Sequence, residues 1–160
     1  MADINSKQSL KEQDAVALVE LLFFAYRDFV ADPDHILERL NFGRAHHRVL
    51  HFVGRDPGLT VARLLDILQI TKQSLARVLK ELIDKDFIYQ KEGPTDRRQR
   101  LLFLTSAGEV LQSSLIAPQI ARFSRAAAFA GGDALRAMLL QLINPENQVA
   151  AEKWIDDHGK

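Results

Sequence analysis

The run from Thr60 to Leu104 leaves the chain few folds to choose from, because two short amphipathic helices are followed at once by two β-rich segments. Thr60 is a natural N-cap for a helix over 61–68, in which Val61, Leu64, Leu65 and Leu68 share one face. "QIT" interrupts it. Thr71 then caps a second helix over 72–86, with Leu75, Val78, Leu79, Leu82 and Ile83 turned inward. A helix-turn-helix pattern is common and says little alone. Here "FIYQK" (87–91) and "RLLFL" (100–104) follow, both rich in β-formers and joined by a glycine-proline loop. Two helices and then a hairpin is the order of a winged helix-turn-helix.

The flanks are helical. Leu18, Leu21, Leu22, Ala25 and Phe29 predict a helix over 13–30, ended by Asp32-Pro33 and followed by a short helical piece over 35–40. A further helix is expected over 43–54. Ser106 with Glu109 reads as a capping box that starts a long helix to about 129, with Pro118 as a kink. "AGGD" breaks it before a helix to about 143, and Pro145 suits the first turn of a last helix over 145–157. The expected fold is mainly α with a small β-hairpin wing, in one domain of 160 residues. Residues 43–105 form the winged helix-turn-helix, and 13–40 with 106–158 form terminal helices. Those ends carry more large apolar side chains than one small module can cover, among them Phe23, Phe24, Ile120, Phe123, Phe129 and Trp154. Packing against a second copy of the chain would bury them, so a homodimer is expected.

Composition narrows the function classes. The chain has no cysteine, which excludes disulfides, thiolate metal sites and thiol switches. No apolar run is long enough for a spanning helix, and the polar start "MADINSKQSLKEQDAV" lacks a signal segment, so a cytoplasmic location without membrane contact is the expectation. Net charge is zero, yet residues 44–100 hold 12 Lys/Arg against 7 Asp/Glu while the flanks are acidic. A basic middle can attract a polyanion although the whole is neutral.

The basic residues fall where a DNA reader needs them. Thr71, Lys72, Gln73, Ser74, Arg77 and Lys80 lie away from the leucine stripe of the second helix, mostly toward its N-terminal half. In a helix-turn-helix those positions meet base edges and phosphates in the major groove. Arg97 and Arg98 sit at the hairpin tip, where they repel each other and gain no core contact. A minor groove concentrates negative potential and gives guanidinium groups a reason to be there. Asp96 is expected to fix the Arg98 side chain by a charge-assisted hydrogen bond.

With these residues in view, "DRRQRLLFLT" resembles the wing signature D-x-R-x-x-x-x-x-L-T of the multiple-antibiotic-resistance regulator (MarR) family, matched at Asp96, Arg98, Leu104 and Thr105. The segment "LTVARLLDILQITKQSLARVLKELIDKDFI" is similar to that family's helix-turn-helix, and "FGRAHHRVLHFVGRDPGLTV" resembles its PetP-like branch. The resemblance implies a homodimeric transcription regulator that binds duplex DNA and dimerises through its terminal helices. It also implies response to a small, often aromatic, effector; the oxidation route used by some relatives is closed without cysteine.

Two rival readings remain open at this stage. One is a metal sensor: His47 and His51 stand i, i+4 on one helix, although no further ligand segment identifies itself. His51 also belongs to a basic stripe with Arg44, Arg48 and Arg55, which would touch phosphates or line a cleft. The other is a winged-helix module for protein contacts, which the combination of Lys72, Arg77, Arg97 and Arg98 argues against. Phe23, Tyr26, His46 and Leu50 are candidates for an effector pocket. No glycine-rich phosphate loop, nucleophile elbow or cysteine nucleophile is present, and Asp84, Asp86 and Glu92 are scattered, so neither an enzyme nor a cofactor is expected.

Overall fold

The computed structural model describes residues 10–159. Helix α1 (Glu12–Glu38) and α2 (Arg44–Arg55) precede strand β1 (Leu59–Thr60), α3 (Val61–Leu68) and α4 (Lys72–Asp84). Strands β2 (Ile88–Glu92) and β3 (Arg100–Leu104) follow, then α5 (Ser106–Ala130), α6 (Gly132–Gln141) and α7 (Pro145–His158). The described chain is mainly helical with one small antiparallel sheet in the order β1-β3-β2.

Local chemistry accounts for the central elements. Thr60 Oγ1 accepts from Arg63 N at 3.1 Å and Thr71 Oγ1 from Ser74 N at 3.1 Å, so both short helices begin on a threonine cap. Gln69 ends α3 in the left-handed conformation at φ 50°. The wing register pairs Ile88 with Leu104, Gln90 with Leu102 and Glu92 with Arg100. β1, where the sequence shows only the Thr60 helix cap, adds a third strand by pairing Leu59 with Leu102 and Thr60 with Leu101.

Two helix starts and stops differ from expectation. α1 does not end at Pro33 but runs through it to Glu38. A proline inside a helix leaves the carbonyl four residues earlier without its donor. That carbonyl belongs to Phe29, and Gln119 Nε2 of α5 takes it up at 3.5 Å. Asp32 next to Pro33 also pairs with Arg122 of α5 at 3.1 Å, and Phe29 meets Phe123 edge-on at 5.7 Å. The second difference is the cap of α5. Thr105, not Ser106, is the N-cap, with its hydroxyl accepting from Gly108 N at 3.0 Å. The same hydroxyl donates to Asp86 O at 2.6 Å, and Thr105 N donates to Phe87 O at 3.1 Å. Gly108 allows this close seat, since a Cβ there would lie 2.0 Å from Phe87 O. α5 then continues through Pro118 to Ala130.

The core lies entirely within the middle of the chain. Leu37, Val49, Leu50, Val53, Leu64, Leu75, Val78, Leu82, Ile88, Leu102 and Leu115 are all at most 1% exposed. Burying a side chain of this size contributes roughly 1.5–3 kcal/mol. α6 and α7 contribute no fully buried residue among those described. Large apolar groups stay exposed on α1 (Leu18, Leu21, Phe23, Phe24), α5 (Ile120, Phe123, Phe129) and α6 (Met138, Leu139).

Candidate nucleic-acid interface

The outward face of α4 carries the residues singled out for base and phosphate contact, but they do not form a uniform set. Lys72 and Gln73 are exposed in the first turn and, among the described residues, enter no ion pair or side-chain hydrogen bond. Thr71 and Ser74 are engaged with each other: Thr71 Oγ1 donates to Ser74 Oγ at 2.9 Å while capping the helix. Their hydroxyls therefore set the start of α4. Arg77 is held one turn on by Glu81, Nη1 to Oε1 at 3.2 Å, with 68% of its side chain still exposed. Lys80 pairs with Asp84, which raises its pKa through their hydrogen bond.

The wing tip is a closed turn. Gly93 N donates to Gln99 O at 3.0 Å and Gln99 N to Asp96 O at 3.1 Å. Gly93 is required here, because a Cβ would lie 2.6 Å from Asp96 O. Asp96 Oδ1 accepts from the backbone N of Arg98 at 2.9 Å, so it braces the main chain and not, as expected, the Arg98 guanidinium. Arg100 folds back, donating to Arg97 O at 2.9 Å and lying 3.6 Å from Glu92. Arg97 and Arg98 are left exposed, in no ion pair among the described residues. A guanidinium without an internal partner, on a braced backbone, is ready to take an external anion.

Other expected groupings come apart. Arg44 of the basic stripe pairs with Asp34 of α1 at 3.2 Å and lies over Tyr26 at 5.7 Å. His51 is half-buried and meets Phe52 edge-on at 5.2 Å, which leaves Arg48 and Arg55 as the exposed members of that stripe in no ion pair among the described residues. Burial lowers the pKa of both His47 and His51, and their mutual repulsion adds to the shift at His47. Among the described residues no third His, Cys, Asp or Glu joins them in a metal-sized group.

The four pocket candidates do not meet either. Phe23 and Tyr26 are 68% and 52% exposed on α1, whereas His46 and Leu50 point into the core. His46 was missed as a strut: its Nδ1 accepts from Gly43 N at 3.0 Å and its Nε2 donates to Glu81 Oε2 at 2.6 Å. Its partner lies 35 residues away, and no local pattern announces such a pair. A hollow of about 500 Å³ does exist elsewhere, between α2, α3 and α7, walled by Phe52, Ile67, Ile143 and Trp154 with His51 and Arg63 at its sides.

Comparison with known proteins decides the family. Residues 40–99 match the MarR family model. The HTH-type transcriptional regulator PetP of Rhodobacter capsulatus is 46% identical over 130 residues, which cover 79% of this chain and 78% of that protein. The chain belongs to the MarR family. Solved structures agree on the fold of this MarR-family regulator. A MarR family transcription regulator superposes with a TM-score of 0.64 at 20% identity, covering 91% of this chain and 92% of the other. The transcriptional repressor CouR, solved bound to a 23-mer DNA duplex, gives 0.59 at 23% identity, covering 84% and 96%. Transcription regulation, and not catalysis, is the business of this family. No helix among the described residues is long and apolar enough to cross a membrane.

Proposed function

We propose that this MarR-family regulator binds duplex DNA sequence-specifically as a homodimer. The observation that carries the reading is the wing tip, where Arg97 and Arg98 stand in no ion pair among the described residues, on a turn closed by Asp96 and Gly93. α4 then enters the major groove, with Lys72 and Gln73 foremost, and the tip enters the flanking minor groove. The exposed apolar rows of α1, α5 and α6 support pairing of two copies through the terminal helices. Two-fold symmetry then calls for a pseudo-palindromic operator with half-sites about one helical turn apart. The hollow between α2, α3 and α7 is the better-supported place for a small-molecule effector, because it adjoins both the winged segment and the C-terminal helices. An effector lowers DNA affinity there only by preferring the non-binding arrangement.

Selection of bound sequences from a random duplex pool at two salt concentrations tests the proposal. The expected product is a symmetric site. Arg97→Ala and Arg98→Ala should each weaken binding to specific and random duplex alike and lower the salt slope by about one. Failure to retard any duplex in dilute buffer would end this reading.

A further inference from the structure

Arg77 and Glu81 look at first like an ordinary i, i+4 surface pair on α4. Such pairs are mobile and weak. This one differs in what holds the carboxylate. Glu81 Oε2 receives the Nε2–H of His46 at 2.6 Å, and His46 is only 5% exposed. The imidazole has no freedom to turn. Its Nδ1 accepts the backbone N–H of Gly43 at 3.0 Å, which fixes the proton on Nε2, and its ring is stacked on Phe42 at 4.5 Å and 13°. Lys85 also lies over the Phe42 ring, 4.7 Å from its centroid, while bonded to Leu40 O. Glu81 therefore has one oxygen tied to a buried, single-tautomer ring on α2 and the other on the Arg77 guanidinium. The hydrogen bond from His46 keeps the Glu81 carboxyl below its usual pKa, so it stays an acceptor at neutral pH.

We propose that Glu81, anchored by His46, is a positioning residue that holds Arg77 in the direction it needs to read a base edge. The inference rests on the DNA-binding reading above and adds a determinant of selectivity that does not touch DNA. A guanidinium already confined has less side-chain freedom to lose on docking. Only one of its donors faces Glu81 Oε1, so the rest of the fork stays available for a bidentate contact. A free arginine at the same position would reach phosphates on either side as readily as the base.

The test measures affinity of the full-length protein for its selected operator, for operators changed at single positions, and for random duplex. In wild type, Arg77→Ala should erase preference at one position of each half-site. Glu81→Gln, which keeps the shape but gives up the charge, should lower preference at that same position by about fivefold or more. Affinity for random duplex should hold or rise, because a negative charge has left the DNA-facing helix. In the Arg77→Ala background, Glu81→Gln should alter no preference. Circular dichroism and melting of each variant separate positioning from damage, since a merely structural loss lowers specific and random binding together. If wild type binds no duplex, the regulator reading falls and this inference with it. If wild type binds selectively but Glu81→Gln keeps the same preference, or acts equally without Arg77, the positioning role alone is overturned.

Discussion

Asp96 accepts a hydrogen bond from the backbone N–H of Arg98 at 2.9 Å, and this bond shapes the wing tip without touching either arginine side chain. Oxygen, not charge, is what the turn requires. Asp96→Asn keeps the acceptor and should hold or raise affinity for duplex DNA. Asp96→Ala frees the tip and should cost about 1 kcal/mol of binding, roughly fivefold. Mobility shift of the two variants side by side checks this. Equal losses in both would return the aspartate to a charge partner of the guanidinium.

Thr105 joins three elements through one residue: its hydroxyl caps α5 at Gly108 N and donates to Asp86 O, and its N–H reaches Phe87 O. Thr105→Val removes both hydroxyl contacts and should lower stability by about 1–2 kcal/mol. Thr105→Ser retains them and should cost less than half as much. Denaturant titration gives both values, and a valine variant as stable as the serine one would contradict the triple role.

Acid should loosen the fold in a window set by two histidines. Burial lowers the pKa of His47 and His51 beneath the ordinary value of 6.5, with Arg55 adding repulsion at His51. The unfolded chain takes up these protons first, so it binds more of them as pH falls through about 6.5. Stability is full above that value and declines below it. Melting temperature should hold between pH 7.5 and about 6.5 and drop from there to pH 5.5, and His51→Gln should flatten the slope. Glu81, whose carboxyl is held low by His46, adds its own loss only below its ordinary value of 4.5, a separate range. A melting temperature that rises on acidification would refute this.

The apolar row of α1 predicts assembly. Phe24 is 58% exposed, and Phe24→Glu would place a charge on that face. If two copies meet there, light scattering should show the mass halved at micromolar concentration, with helicity by circular dichroism little changed. A wild-type chain that is already monomeric would remove the α1 row from the interface.

The central module was legible because each signal in it is local. Thr60 and Thr71 announce helix starts, leucines at 64, 75, 79 and 82 announce a buried face, and β-formers announce the wing. The misses share a cause in distance along the chain. α1 survives Pro33 because Gln119, ninety residues away, services the freed carbonyl. β1 is two residues long, too short to show a period, and exists only because β3 pairs with it. Ser106 and Thr105 are chemically equal caps one residue apart, and the choice went to the one that also reaches Asp86. His46 reads as an ordinary helix histidine until Glu81 is brought against it. Phe23 and Tyr26 were grouped with His46 and Leu50 by chemistry, but helix phase sends the first two outward.

The junction at Thr105 ties the base of the wing to the start of α5. The residue that follows the wing's last strand is also the N-cap of α5, so wing and helix meet with no linker between them. A tilt of α5 would therefore be passed to the base of the wing through Thr105.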